Sequence, residues 1–257
     1  MNEGDVHNWI CYGMFLSGIL VFCFLMFSSQ QTPYGRYSEE KKWGPLINAK
    51  LAWITMEMPN LVLAAVCFLS GEKPNLTSLP NLILSSAFVA HYINRTLVFP
   101  MRMRSGKPMP LSIMIMAFTF CCINGYLQAR YLCSLKVYNE DWLADGRFLF
   151  GITLFLAGFA INMHSDGILR KLRTNNSSGY KIPRGGMFEY VSGANFFGEI
   201  VEWTGFTFAG WSLPATAFAF FTFCNIGPRA IQHHEWYQQK FKEDYPKCRK
   251  ALIPFLW

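Results

Sequence analysis

The sequence predicts an all-α membrane protein built as a bundle of seven transmembrane helices. Three observations carry that expectation. Only 15% of the 257 residues are charged while 52% are hydrophobic, whereas a soluble globular domain carries roughly 25% charged residues. Seven apolar runs approach or exceed the ~20 residues that cross a bilayer. The basic residues also alternate from loop to loop, as the topology of a multispanning chain requires.

The runs fall at about 9–27, 51–69, 81–99, 109–133, 147–169, 187–208 and 211–228, with a tail at 229–257, and the whole of 1–257 reads as one integral-membrane domain. The first run follows Glu3 and Asp5 and carries no charge. It lacks the basic start and small-residue cleavage site of a signal peptide, so it reads as a retained helix. The second contains Glu57 and Pro59; the third contains His91, Tyr92, Asn94 and Arg95. The fourth opens at Lys107-Pro108-Met109-Pro110 and contains Asn124-Gly125, read as a kink or unwound point. Arg130, near its end, is expected to snorkel to the interface. The sixth and seventh are nearly continuous, with Trp211-Ser212-Leu213-Pro214 as the turn. The tail is amphipathic and aromatic. It reads either as a helix lying on the bilayer or as a lid over a pocket at the cytoplasmic ends of the fifth and sixth spans.

Charge placement sets the orientation. Of the 23 Lys and Arg residues, eighteen lie on one side: four in the first loop, three in the third, five in the fifth and six in the tail. The positive-inside rule puts that side in the cytoplasm and the N-terminus outside. The same distribution accounts for the net charge of +7 without a nucleic-acid partner. Eight cysteines are scattered with no CxxC, and five histidines form no HExxH, so neither a disulfide framework nor a metal site is expected. Asn75 heads the outer-side glycosylation sequon; those at Asn94 and Asn175/Asn176 lie in a span or on the inner side.

Within this apolar chain the residues from Gly158 to Trp203 stand out. Asn162, Asp166 and Arg173 lie 4 and 11 positions apart, within about 40° of one another on a helix face. Asn195, Glu199 and Glu202 also share a face, and a basic loop with Lys181, Arg184, Gly185 and Gly186 runs between the two sets. Ionisable groups within a membrane span are costly and mark functional sites, so a cofactor pocket, capped by cytoplasmic loops, is expected here. Glu57, in the second span, reads either as a functional carboxylate or as one that holds helices together, and His91 and Tyr92, in the third, either as functional groups or as part of an interfacial aromatic belt.

HYxxR (91–95), GKPMPL (106–111), NGYLQ (124–128), INMHSDxILRxLR (161–173), GYKIPRGGMFEYVSGANFFGEIVEW (179–203), AFAFFTFC (217–224), HHEWY (233–237) and DYPKCRKALIPFLW (244–257) together resemble the steroid 5α-reductase family. GKPMPL and HHEWY are more similar to its type 1 than its type 2 branch, and the likeness fades over the first ~30 residues. The resemblance implies a seven-helix membrane enzyme that reduces the Δ4 double bond of 3-oxo steroids, such as testosterone and progesterone, with NADPH. It implies Glu57 and Tyr92 as the pair on the steroid 3-keto oxygen, Tyr92 being the proton donor. It further implies Asn162, Asp166, Arg173, Asn195, Glu199, His233, Tyr237 and Arg249 as the cofactor-contacting set, with Tyr34, Lys107, Tyr180 and Lys181 as weaker members. Lys107 and Lys181 stand where the type 2 branch has arginines; their charge survives, but bidentate phosphate geometry does not. The expected partners are a steroid entering from the lipid and the membrane lipids themselves. The chain reads as a monomer, in the endoplasmic reticulum of a eukaryote or the inner membrane of a bacterium. The rival readings are another membrane sterol reductase, a related isoprenylcysteine methyltransferase, or a seven-helix receptor or transporter.

The orientation is testable by labelling single cysteines placed at Lys73 and Lys181 with a membrane-impermeant reagent. The expected outcome is labelling from opposite sides of the membrane; labelling of both from one side would remove the topology.

Overall fold

A computed structural model describes residues 1–28, 43–103, 106–172 and 180–257. Tyr34 and Arg173, the cations Arg36, Lys41, Lys42 and Arg104, and the Asn175/Asn176 sequon lie outside the described residues. The chain divides into two compact units, Met1–Gly13 with Ser29–Phe148 and Met14–Ser28 with Leu149–Trp257.

In the first unit, α1 (Glu3–Phe27) contributes its N-terminal turns. It is followed by α2 (Ala49–Leu69), α3 (Lys73–Thr77), α4 (Leu79–Ile93), α5 (Phe99–Arg102) and α6 (Leu111–Arg130). Asn48 caps α2, its side-chain oxygen accepting from Lys50 N at 3.0 Å and Leu51 N at 3.3 Å. Leu46–Ile47 and Met109–Pro110 pair as two short antiparallel strands, β1 and β2, ahead of α2 and α6. Between α4 and α5 the chain takes a wide turn over Asn94–Val98, where the Phe99 N–H reaches the Asn94 carbonyl. Pro100 follows directly; a proline lacks the N–H for the helical ladder and crowds the preceding turn, and an i→i+5 turn is one way to accommodate it.

The Asn124-Gly125 pair is not an unwound point of the fourth span. α6 runs unbroken through it, from Leu111 to Arg130. A Cβ on Gly125 would lie 3.0 Å from Asn60 Cα and 3.2 Å from the Pro59 carbonyl. The glycine therefore serves the close approach of α6 to α2. In lipid an unwound turn leaves backbone groups unpaired, whereas small residues at an interface let two backbones touch. Arg130, near the end of α6, forms an ion pair: its Nε and Nη2 donate to the two Glu3 carboxylate oxygens at 2.7 and 3.0 Å. His7, fully buried, adds a ring-nitrogen hydrogen bond of 2.9 Å to the Leu127 carbonyl.

In the second unit α7 (Gly146–Leu172) lies against α8 (Ala194–Gly210), and α9 (Leu213–Phe241) follows. The α7–α8 contact is glycine on backbone. A Cβ on Gly158 would lie 2.6 Å from Glu202 Cα, and one on Gly198 would lie 2.9 Å from Asn162 Cα. One heptad along, Gly151 faces Ala209 and Gly205 faces Gly151 and Phe155 in the same way. The turn between α8 and α9 is the expected one: Trp211 adopts φ 39°, its N–H bonding to Thr207 O at 2.7 Å. α9 continues past Pro228 to Phe241, so the first half of the tail extends that helix. The rest folds back on the segment before α8, with Ser192 N to Lys250 O, Lys250 N to Tyr190 O and Gly193 N to Ala251 O all at 2.9 Å.

Among the described residues, five helical stretches are long and apolar enough to cross a membrane: Glu3–Phe27, Ala49–Leu69, Leu79–Arg102, Leu111–Leu135 and Gly146–Leu172. They make the chain a multi-pass integral membrane protein. α8, with 17 residues, is about 26 Å long at 1.5 Å per residue, short of the ~30 Å hydrocarbon core.

The Asn75 sequon, expected on the outer side, takes part in packing. Asn75 is buried, and its amide nitrogen donates to the carbonyls of Lys136 and Leu132 at 2.7 and 3.3 Å, beside Asn81, which donates to the same two at 2.6 and 2.7 Å. We expect endoglycosidase to leave the mobility of the protein from glycosylating cells unchanged at this position. Asn75→Ala should lower stability by about 1–3 kcal/mol, read as a lower melting temperature in detergent. A glycan on Asn75 would contradict this packing.

Candidate active site

Among the described residues, each unit carries candidate polar side chains within its apolar helices. In the first unit, α2, α4 and α6 supply them. Glu57 is half-buried on α2, and Cys121 Sγ of α6 donates to its Oε2 at 3.6 Å. Tyr92, 3% exposed on α4, packs against Phe88 with ring centroids 4.7 Å apart and edge-on to His91 at 5.0 Å. Its hydroxyl oxygen accepts from Asn124 Nδ2 at 3.0 Å. Asn124 also donates to Asn60 Oδ1 at 3.2 Å and accepts from Gln128 Nε2 at 3.3 Å. Asn60, one turn after Glu57, donates to the Glu57 backbone carbonyl at 3.5 Å. Glu57 and Tyr92, on separate helices, thus belong to one hydrogen-bonded system centred on α6. Nearby, the Arg95 guanidinium stands 4.8 Å from the ring centroids of both Trp53 and Phe99, where the ring faces attract a cation.

Sequence reasoning missed Asn60, Cys121, Asn124 and Gln128 as members of this system. The signal was present. Cys121, Asn124 and Gln128 are spaced i, i+3, i+7, one face of a helix, and Asn60 is i+3 from Glu57.

In the second unit the glycine contact between α7 and α8 brings two expected residues together. Asn162, buried one turn beyond Gly158, donates from Nδ2 to the Asn195 carbonyl at 2.9 Å, at the start of α8. Asp166 is buried a turn further along α7; Glu199, a turn further along α8, is half-buried. Ser165, beside Asp166, was not foreseen: it is fully buried, and its hydroxyl has no hydrogen-bond partner among the described residues.

The C-terminal segment supplies the remainder. His233 of α9 is half-buried, its ring 5.4 Å from Phe196. Tyr237 is buried and stacks on Tyr245 at 5.5 Å with an interplanar angle of 5°. Tyr180 lies edge-on to Trp236 at 4.8 Å, and Lys181 beside it is exposed. Lys107, also exposed, belongs to the first unit. Arg249 is 2% exposed. Its Nη1 donates to the Pro183 carbonyl at 3.2 Å, its Cζ is 5.2 Å from the Tyr245 ring centroid, and its Nη2 is 4.0 Å from Glu189 Oε2. Nε and Nη2 have no hydrogen-bond partner among the described residues. A buried cation with unmatched N–H groups is costly and fits an anionic group such as a phosphate.

What holds Arg249 in place was also missed. Ser192 Oγ is 2.6 Å from both His234 Nδ1 and the Tyr245 hydroxyl, and donates to the Lys250 carbonyl at 3.2 Å. Gln238 Nε2 lies 2.8 Å from His234 Nε2. Burial first, then the nearby charges of Arg249 and Lys250, hold the His234 imidazole below its usual range.

A family model for 3-oxo-5-alpha-steroid 4-dehydrogenase matches residues 107–257. The bovine 3-oxo-5-alpha-steroid 4-dehydrogenase 1 is 51% identical over 239 residues, covering 92% of each chain. The human type 1 protein is 54% identical over 211 residues, covering 82% of this chain and 81% of its own. The rat 3-oxo-5-alpha-steroid 4-dehydrogenase 2 is 45% identical over 241 residues, covering 93% of this chain and 92% of its own.

The depressed His234 has a sign that can be measured. Its neutral form is favoured in the fold, so its stabilising contribution is complete above the unfolded value of ~6.5 and is lost as pH falls through it. The melting temperature in detergent should fall from roughly pH 7.5 to 5.5, and His234→Gln should flatten part of that fall. Equal slopes for wild type and variant would remove His234 as a cause.

Proposed function

The chain belongs to the 3-oxo-5-alpha-steroid 4-dehydrogenase family, and from that premise we infer that it reduces the Δ4 double bond of 3-oxo steroids to the 5α products with NADPH as reductant. It is an oxidoreductase acting on a CH–CH group, and its identities place it with the type 1 branch. One observation supports the chemistry most directly: within apolar spans, Asn124 and Asn60 link the buried Tyr92 hydroxyl to the Glu57 backbone carbonyl, and the half-buried Glu57 carboxylate accepts from Cys121 on the same helix as Asn124.

Reduction of an enone places negative charge on the carbonyl oxygen as the β-carbon, C5, takes up hydride. A donor aimed at that oxygen stabilises the transition state. Tyr92 is assigned that donation to the 3-keto oxygen. Glu57 is its partner, accepting from the hydroxyl or sharing a proton with the ketone. A proton drawn from solvent then adds to C4, the C3 carbonyl re-forms, and the oxygen returns its proton to Tyr92. Burial of Tyr92 keeps water out of this exchange, which strengthens each electrostatic contact.

NADPH, when bound, supplies the hydride. Asn162, Asp166, Asn195, Glu199, His233, Tyr237 and Arg249 are assigned to hold it, with Tyr180, Lys107 and Lys181 in lesser roles; Tyr34 and Arg173 belong to the same assignment. Arg249 is the strongest support: its Nε and Nη2 have no hydrogen-bond partner among the described residues, and a phosphate would supply the acceptors. The full topology we propose has seven spans, α8 and the first half of α9 adding two to the five long apolar stretches, with the steroid arriving through the lipid.

The test is turnover on testosterone, normalised to folded protein. Tyr92→Phe should lower kcat by ~10²–10⁴ while NADPH affinity is retained. Glu57→Gln should cost a similar amount, and the double variant little more than either alone, because groups that act as a unit are non-additive. If Glu57 serves helix packing only, Glu57→Gln will lower the melting temperature and leave normalised turnover near that of the wild type.

A further inference from the structure

Asn124 is fully buried on α6, and the hydrogen bonds around it have only one consistent polarity. The chain of amides begins at the Glu57 backbone carbonyl, which can only accept. Asn60 therefore turns its NH2 to that carbonyl, at 3.5 Å, and its Oδ1 towards α6. Asn124 must answer that oxygen with its own NH2, at 3.2 Å, and the same nitrogen reaches the Tyr92 hydroxyl at 3.0 Å. Gln128 closes the other end, donating to Asn124 Oδ1 at 3.3 Å. Both amide hydrogens of Asn124 are committed, one to each oxygen. The Tyr92 oxygen is thus an acceptor on its α6 side, and its single hydrogen is directed away from Asn124.

We propose that Asn124 is a positioning residue for the reduction: it fixes Tyr92 in the orientation that presents its proton to the steroid ketone. This rests on the reading of Tyr92 as the donor to the 3-keto oxygen. Without an N–H on that side, the phenol is free to rotate and spend its hydrogen on an amide oxygen of the network. A donor aimed at the phenol oxygen also supports the negative charge left there as the proton moves towards the ketone, because an N–H stabilises charge at the oxygen it faces. Asn124 touches neither substrate nor reacting carbon in this role. It acts through Tyr92.

The residue type matters more than the volume. Aspartate has nearly the same shape as asparagine, but its carboxylate offers acceptors where the N–H stood. Asn124→Asp therefore reverses the hydrogen bond and draws the Tyr92 proton to itself. Asn124→Ala merely removes the bond.

The experiment measures kcat and steroid KM for Asn124→Ala and Asn124→Asp in the full-length protein, normalised to folded protein from a melting curve, alone and combined with Tyr92→Phe. For Asn124→Ala we expect kcat to fall roughly 10- to 100-fold, with a larger fall for Asn124→Asp, steroid KM within a few-fold, and a larger solvent isotope effect as proton transfer becomes limiting. In the Tyr92→Phe background either change should cost little more, since the hydroxyl it positions is gone. Turnover near wild type in whichever Asn124 variant folds would overturn the proposal, as would a loss confined to KM or a loss of equal size in the Tyr92→Phe background. If Tyr92→Phe alone turns over like wild type, the donor reading falls first. That result is distinct from an active Tyr92 that needs no Asn124.

Discussion

The second unit depends on how closely α7 and α8 approach. Lipid gives two apolar helices little reason to associate, because the hydrocarbon is as apolar as their side chains; association comes from backbone packing and polar contacts. Gly151 and Gly158 on one helix, and Gly198 and Gly205 on the other, allow contact with no side chain between them. Both pairs are seven residues apart, so the contact repeats every two turns and sets an antiparallel register. One turn beyond it Asn162 meets the Asn195 carbonyl. A side chain at Gly158 would have to displace Glu202 and Gly198 backbone atoms, and everything polar on the two helices would move with them.

The first unit answers the same constraint differently. Gly125 brings α6 against Pro59 and Asn60 of α2, and the space beside it is filled by amides rather than methyl groups. A buried amide without partners costs more than it contributes, whereas a closed chain satisfies every member and fixes each side chain's orientation. Asn60, Asn124 and Gln128 form such a chain, and it ends on the residue assigned to donate. Arg249 is the opposite case. Among the described residues its surroundings supply one carbonyl, one ring face and a distant carboxylate, and leave two nitrogens unmatched.

Much of the fold was legible in the sequence because the bilayer imposes a coarse rule, that a span is long and apolar. The runs at 51–69, 81–99 and 147–169 correspond to helices, and the turn at Trp211 sits where its residues suggest. The rule fails where helices do not follow the membrane boundary. α9 carries straight on from apolar Phe218 through Pro228 into His233 and Tyr237, because a helix with satisfied backbone bonds has no reason to stop at an interface. Asn124-Gly125 misled for a related reason. In water that dipeptide favours a turn; inside a span it is a close-packing residue beside a hydrogen-bonding one.

The candidate site was legible in kind and illegible in detail. Polar residues are so costly in these helices that their positions alone pick out candidates, and the helical spacing of Asn162 with Asp166, and of Asn195 with Glu199, places each pair on one face. Spacing does not say which hydrogen goes where. The polarity of the Asn60–Asn124–Tyr92 chain follows from a backbone carbonyl at Glu57 that three-dimensional contact alone reveals. Nor does spacing disclose that Ser192, His234 and Tyr245, from three separate stretches, meet to hold the segment carrying Arg249. Residues that face a ligand announce themselves by being polar in an apolar chain. Those that orient them share that composition, and only the direction of their hydrogen bonds tells the two roles apart.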